Sequence, residues 1–435
     1  MSDRKHFARR RQQLMQAAGE GSILILPAAP ERVRSRDTQY PYRQDSDFWY
    51  LTGCDEPEAV LVLVPGRKHG EAILFCRERD LEREAWDGPR LGPEGAVAAL
   101  GLDDAYPIAD IDEILPGLLE GRRRVHYHLG RDADFDLKLI GWLNRVRAQV
   151  RQGAQPPQEF LELGHLLDEL RLFKSADELR LMQQAADISV QAHRAALRAA
   201  RVGMHEFELQ AELEYVFRKH GAQPAYASIV GAGANACVLH YRNNVAKCRD
   251  GELVLIDAGA EYAGYAADIT RTFPVNGRFS KPQRALHDLV CAAQAAALAQ
   301  ARPGVPYEAG HDAAVATLAE GLLSLGLLKG TLEKVIASGD YKRFYRHKTG
   351  HWLGLDVHDV GEYRIDGASR LLEPGMVFTI EPGLYIPPDD TSVAAQWRGI
   401  GIRIEDDVLI TREGHRVLTA ALERSAEDVE GVMAG

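Results

Sequence analysis

The stretch LVLIDAGAEYAGYAADITRTF, residues 253–273, reads as an apolar strand, a small-residue turn and a second apolar strand. Asp257 closes the first run and Asp268 opens the second. With the turn centred on EYAG, residues 261–264, the two aspartates fall opposite each other in an antiparallel hairpin. Directly opposed Cβ atoms lie roughly 4.5–5.5 Å apart. Two ionised carboxylates at that range repel, and burying either without a partner is costly. They can share a proton or a cation. The alternative is that Asp257 merely opens a turn before Ala258 and Gly259 while Asp268 faces solvent. This segment alone leaves both readings open.

Three later segments bear on the choice. RHKTGHWLGLDVHDVG, residues 346–361, holds His347, His351 and His358, and Gly350 weakens any helix through it. VFTIEPGLYI, residues 377–386, ends an apolar run on Glu381. GIGIRIEDDVLI, residues 399–410, puts Ile400, Ile402 and Ile404 on one face and Arg403 and Glu405 on the other. Taken singly, a histidine among apolar residues is packing and Glu405 is a solvated outer face. Together, four carboxylates and one imidazole form a set whose charge two divalent cations would neutralise. Oxygen-dominated ligation with one imidazole suits manganese, cobalt, iron or zinc better than a cysteine-type structural zinc site. Two such ions about 3.5–4 Å apart can hold a bridging water, lower its pKa and hold a carbonyl oxygen, which is hydrolytic chemistry.

The bulk composition narrows the classes. A net charge of -11 over 435 residues argues against a nucleic-acid binder, which would carry a basic patch or excess. No run of 18 apolar residues suggests a membrane span, and no apolar stretch follows the basic MSDRKHFARRRQQLMQ as in a secretory signal. Cys54, Cys76, Cys237, Cys248 and Cys291 lie far apart without a CxxC pair, as expected of free thiols in a reducing cytoplasm. IVGAGANACVL, residues 229–239, contains G-x-G-x-x-A, but CVLHY after it looks like a strand where a dinucleotide site needs a helix. A glycine-rich turn is the preferred reading.

The chain reads as a two-domain α+β protein. Residues 1–172 form a mixed α/β domain, with strands at SILILP, EAVLVLVPG and EAILFC and a helix at DFDLKLIGWLNRVRAQV. Residues 173–435 open on a helix capped by Ser175 with Glu178 and closed by Gly203, then a second helix from MHEFELQAELEYVFRKHG. Strands are expected at 226–230, 237–242, 252–257 and 265–274, then helices at 281–301 and 307–326. Strands at 352–358, 376–381, 400–411 and 415–418 finish the chain. A helix pair followed by strands, twice over, suggests two similar halves facing each other.

From about residue 175 onward the chain resembles the pita-bread metallopeptidases, the fold family of methionine aminopeptidase, prolidase and aminopeptidase P. The pattern is Asp, a second Asp eleven residues later, then His, Glu and Glu, here Asp257, Asp268, His351, Glu381 and Glu405, in the contexts IDAG, DITRTF, GHWLGLDVHDVG, EPGLY and GIRIEDD. YPYRQDSDFWYLTGCDEPEAVLVLVPG, residues 40–66, is similar to the N-terminal domain of aminopeptidase P and its prolidase relatives. The resemblance implies a pita-bread domain with pseudo-twofold halves and two bound metal ions, manganese preferred. Asp257 would hold one ion, Asp268 and Glu405 would bridge both, and His351 and Glu381 would complete the second site. His240, His347 and His358 would line the substrate pocket, with Glu381 as proton shuttle. Tyr226, Arg403 and Asp37 would position the ligands. Trp86 matches a tryptophan that reaches a neighbouring subunit in tetrameric relatives, implying a homo-oligomer, tetramer or dimer. The substrate-binding arginine of the family falls on Arg364 or Arg370. The implied activity is a cytoplasmic Xaa-Pro aminopeptidase, in which a metal-bridging hydroxide cleaves peptides before a proline at the second position. A prolidase confined to Xaa-Pro dipeptides is the alternative.

Overall fold

The structure is a computed structural model that describes residues 4–434. The chain divides into two units, Met1–Leu170 and Arg171–Gly435. In the first unit a six-stranded sheet runs in the order Asp104–Pro107, Ala72–Cys76, Val60–Leu63, Ser22–Pro27, Arg124–Tyr127, Glu159–Glu162. Its central strands are apolar at nearly every position because both faces are covered. Helix Ala133–Ala148 buries Phe135, Leu139, Trp142, Leu143 and Val146 in one cluster with Ile23, Val62 and Phe75.

The second unit repeats one order twice. Helices Ala176–Ala199 and Glu206–Lys219 precede strands Ile229–Ala232, Leu253–Asp257 and Thr270–Pro274. Helices Lys281–Leu298 and Glu308–Ser324 precede strands Val377–Ile380, Gly383–Ile386, Ile400–Arg403 and Asp406–Thr411. The expected capping box forms at Ser175, whose N–H and hydroxyl both bond Glu178 Oε2, at 2.9 and 2.7 Å. A second box pairs Ser280 with Gln283. The first helix ends at Ala199, before Gly203, whose N–H bonds Cys248 O instead.

The central hairpin forms, but its register differs from the expectation. Asp257 pairs with Thr270, and the turn is the two-residue pair Ala263 and Gly264 between Tyr262 and Tyr265. Both turn residues have positive φ, 50° and 85°, as a type I′ hairpin demands. That choice slides the pairing by two residues, which preserves the face of every side chain. The two aspartates therefore share a face diagonally instead of directly across.

Two expected strands are absent. Residues 237–242 lie in a 3-10 turn, Gly233–Cys237, and the loop after it. Gly233 has φ +55°, and a Cβ on Gly401 would sit 2.2 Å from Ala236 O, so this turn packs directly under strand Ile400–Arg403. Within the G-x-G-x-x-A run, a Cβ on Gly231 would lie 3.0 Å from Ala236 N, so the run folds back tightly on itself. Residues 352–358 are irregular, because Gly354 N bonds Asp356 O, Asp359 N bonds Trp352 O, and one bridge joins Trp352 to Phe378. Arg171 and Lys174 hold the Asp359 carboxylate at 2.6 and 2.9 Å and fix the loop. The expected strand 400–411 breaks after Arg403, where Glu405 N turns to bond Thr270 O at 3.0 Å.

Where the hairpin passes the aspartates, a Cβ on Gly259 would lie 1.7 Å from Ala267 O. Backbone cannot yield that far locally. Gly259→Ala is expected to destabilise the protein by about 3 kcal/mol, read as a lower urea midpoint. An unchanged midpoint would contradict the close approach.

Candidate metal centre

Strand Leu253–Asp257 carries Asp257 to its end, and Asp268 precedes strand Thr270–Pro274 on the same face. The Tyr226 hydroxyl joins the pair, reaching Asp257 Oδ1 at 2.6 Å and also bonding Asp268 Oδ1. The second half contributes the rest. His351 Nε2 lies 3.4 Å from Asp268 Oδ2 and 3.8 Å from Glu381 Oε1. Asp268, His351 and Glu405 each offer a ligand atom within 4.8 Å of the other two. Residues separated by as many as 148 positions, from Asp257 to Glu405, thus converge on one spot.

Each group is held by a neighbour. Arg403 Nη2 donates to Asp257 Oδ2 at 2.6 Å, its Nε to Thr270 Oγ1 at 3.0 Å and its Nη1 to the Tyr385 hydroxyl at 2.8 Å. Thr270 Oγ1 donates to Glu405 Oε2 at 2.6 Å. Asp407 accepts the Asp268 N–H on both oxygens at 3.2 Å. His351 Nδ1 lies 3.0 Å from Trp352 O, so its Nδ1–H donates there and Nε2 is left to face the cluster.

The electrostatics show what the cluster lacks. Arg403 is the one guanidinium paired with these four carboxylates among the described residues, which leaves three negative charges unmatched. Burial first, then the charge of Asp257, holds the Asp268 carboxyl well above its ordinary range. Burial and the charges of Asp268 and Asp257 do the same to Glu405. Burial and Glu405 push Glu381 up to about 8. Groups forced toward protonation beside an imidazole with a free nitrogen form a donor set of hard oxygens and one nitrogen, which fits a divalent cation.

The candidate pocket histidines divide. His347 is half-buried: desolvation and Arg403 push it down to about 3, so the ring is neutral. Its Nδ1–H donates to Lys348 O at 2.7 Å and its Nε2 accepts from the Tyr385 hydroxyl at 2.9 Å. A chain of polar contacts thus runs Asp257, Arg403, Tyr385, His347. His358 and His240 are exposed, and the His358 ring lies edge-on to His351 at 4.3 Å between centroids. Burial and the charges of His351 and His240 lower the His358 pKa. Arg370 is buried with its guanidinium over Phe173, and Arg364 is exposed and paired with Glu308 at 2.7 Å. Asp37 and Trp86 belong to the first unit, where both are exposed. The sequence reading missed Tyr385 and Thr270. Tyr385 lay within the quoted EPGLYI run, and Thr270 within the quoted DITRTF context, two positions after Asp268.

A buried carboxylate–imidazole cluster enclosed by two repeated α+β halves defines a metal site of the oxygen-rich, hydrolytic kind. Residues 180–412 match metallopeptidase family M24, and residues 7–127 match the aminopeptidase P N-terminal domain. The chain therefore belongs to metallopeptidase family M24. It is 46% identical to the Xaa-Pro aminopeptidase of Escherichia coli over 432 residues, covering 99% of this chain and 98% of that one. The solved structure of Pseudomonas aeruginosa aminopeptidase PepP superposes with a TM-score of 0.98 at 56% identity, covering 99% and 98% of the two chains. Zinc-substituted E. coli aminopeptidase P in complex with product superposes with a TM-score of 0.97 at 46% identity, over 99% and 98%.

The raised carboxyls set the sign of a pH effect. Their folded pKa values exceed the unfolded ones, so metal-free protein loses stability as pH rises from the unfolded carboxyl range through about 8, the value of Glu381. A divalent cation replaces those protons and cancels the loss. The rise in Tm on adding manganese is expected to be larger at pH 8 than at pH 6. Equal gains at both would contradict the cluster's electrostatics.

Proposed function

We propose that this chain is an Xaa-Pro aminopeptidase that removes an N-terminal residue preceding proline. The observation that carries the proposal is the convergence of Asp257, Asp268, His351, Glu381 and Glu405, in a chain similar over its whole length to Xaa-Pro aminopeptidases. These five residues would hold two divalent ions, manganese by preference. Ions so held supply a water acidified toward neutral pH and a Lewis acid for the scissile carbonyl.

The chain's own residues do the rest. Glu381 takes a proton from the nucleophile and passes it to the departing proline nitrogen. That nitrogen needs it, because an Xaa-Pro bond is a tertiary amide without N–H. His358, edge-on to His351, and the exposed His240 reach substrate from the solvent side and donate hydrogen bonds to the developing oxyanion. His347 stays neutral and, through Tyr385 and Arg403, fixes the Asp257 carboxylate. Arg403 is a positioning residue in this scheme, since it touches Asp257, Thr270 and Tyr385.

We place the protein in the cytoplasm, a reading supported by its five unpaired cysteines. Among the described residues no helix is long and apolar enough to cross a membrane. We also propose a homo-oligomer, dimer or tetramer. Helix Leu81–Asp87 buries none of its residues and leaves Leu81 78% and Trp86 86% exposed, which suits a face covered by another copy.

Two measurements test the proposal. A tripeptide Xaa-Pro-Xaa is expected to be cleaved by manganese-loaded protein, whereas turnover of Xaa-Pro dipeptides alone would make it a prolidase. Asp268→Ala is expected to abolish activity and metal binding together, because a ligand shared by both ions serves each. Activity retained in that variant would refute the ligand assignment.

A further inference from the structure

Glu206 opens helix Glu206–Lys219 and is fully buried at 0% exposure. Among the described residues no cation pairs with this carboxylate, and four donors serve it instead. Oε1 accepts from Ala232 N at 2.7 Å and Asn235 Nδ2 at 2.9 Å. Oε2 accepts from the Tyr241 hydroxyl at 2.9 Å and Ala246 N at 2.8 Å. The donors bracket one loop: Ala232 directly before it, Asn235 near its start, Tyr241 directly after His240 and Ala246 at its end. Ala246 O also accepts the Glu206 N–H at 2.9 Å.

One helical turn along, Gln210 lies on the same face. Its Oε1 accepts from Asn244 Nδ2 at 2.8 Å. Asn244 is buried in a left-handed conformation with φ 48°, and its Oδ1 accepts from Val230 N at 3.0 Å. Among the described residues loop 233–246 pairs with no strand, and beyond the 3-10 turn Gly233–Cys237 these side-chain bonds tie its ends together. His240 is exposed and makes no part of the anchor, while its neighbours Leu239 and Tyr241 pack on the buried cluster that contains Tyr385, the residue bonded to Arg403 and His347 at the candidate centre.

We infer that Glu206 is a positioning residue for His240: its carboxylate cross-links both ends of loop 233–246 and holds the imidazole at the metal centre. The inference rests on the proposed role of His240 in peptide cleavage. Charge-assisted bonds suit the task, because each oxygen serves two donors and sets the two ends of the loop at one distance. An amide in the same place keeps one acceptor oxygen and turns an N–H₂ toward the other pair of donors.

The test uses full-length, manganese-loaded protein with Glu206→Gln and Tyr241→Phe, each made in the natural chain and in His240→Ala. In the natural chain, either variant is expected to lower kcat/KM on Xaa-Pro-Xaa by about tenfold with metal content unchanged. In the His240→Ala background the same changes are expected to cost less than about twofold. Trypsin cleavage after the exposed Arg242 should accelerate in Glu206→Gln, a readout independent of activity. Equal losses in both backgrounds, or full activity in both single variants, would overturn the inference. Full activity of His240→Ala would instead remove the role of His240 on which it rests, and loosening of the loop would still be read by trypsin. If Glu206→Gln does not fold, Tyr241→Phe decides alone in the same two backgrounds.

Discussion

Among the described residues four carboxylates share a largely buried space with one paired guanidinium, and the second unit is organised around that imbalance. Coulomb repulsion between close carboxylates grows as water is excluded, so an apolar surround makes the cluster unstable unless protons or cations enter. The supporting side chains answer the imbalance only in part. The Tyr226 hydroxyl is shared between Asp257 and Asp268, the Thr270 hydroxyl goes to Glu405, and Arg403 reaches Asp257. These contacts orient the oxygens and leave most of the charge uncompensated. A site that needed only stability would use fewer acids, because apolar replacements of similar volume are often no worse.

Much of this was legible along the chain, and the reason is parity. Asp257 and Asp268 lie on one face of a hairpin whether the turn is EYAG or the observed pair Ala263 and Gly264, because the two registers differ by two residues. Arg403 and Glu405 likewise declared their face by alternation against Ile400, Ile402 and Ile404. What alternation cannot report is a segment shaped from elsewhere. Residues 237–242 look like a strand, but no free sheet edge receives them and Glu206 fixes them as a loop. Residues 352–358 carry strand-like apolar letters, yet Arg171 and Lys174, about 185 positions earlier, capture Asp359 and set their path. Tyr385 was invisible for the same reason, since its value lies in reaching Arg403 and His347 at once.

Glycine placement has the same tertiary origin. Gly259, Gly350 and Gly401 all carry ordinary negative-φ backbone, so local turn chemistry does not explain them. Each lies where a second backbone passes too closely for a Cβ: Ala267 O against Gly259, Thr379 O against Gly350, Ala236 O against Gly401. Gly350 precedes His351, and Thr379 N bonds His351 O at 2.9 Å, so this approach also sets the depth of the imidazole. Close-packed backbone around the ligands is the rigid support that holding several donors within a fraction of an ångström requires.

The cluster is also where the two halves of the unit join. Glu405 N bonds Thr270 O, Asp268 N bonds Asp407, and Arg271 reaches Asp406 at 2.8 Å and Glu405 O at 2.6 Å. Each half thus supplies backbone or counter-charge to the ligands of the other. Asp257 and Asp268 come from the first half, His351, Glu381 and Glu405 from the second, so neither half alone can assemble the donor set. On the proposed ligand assignment, charge neutralisation and closure of the halves become one event: cations held by these five residues would bond across the seam, whose hydrogen bonds set the spacing of the donors.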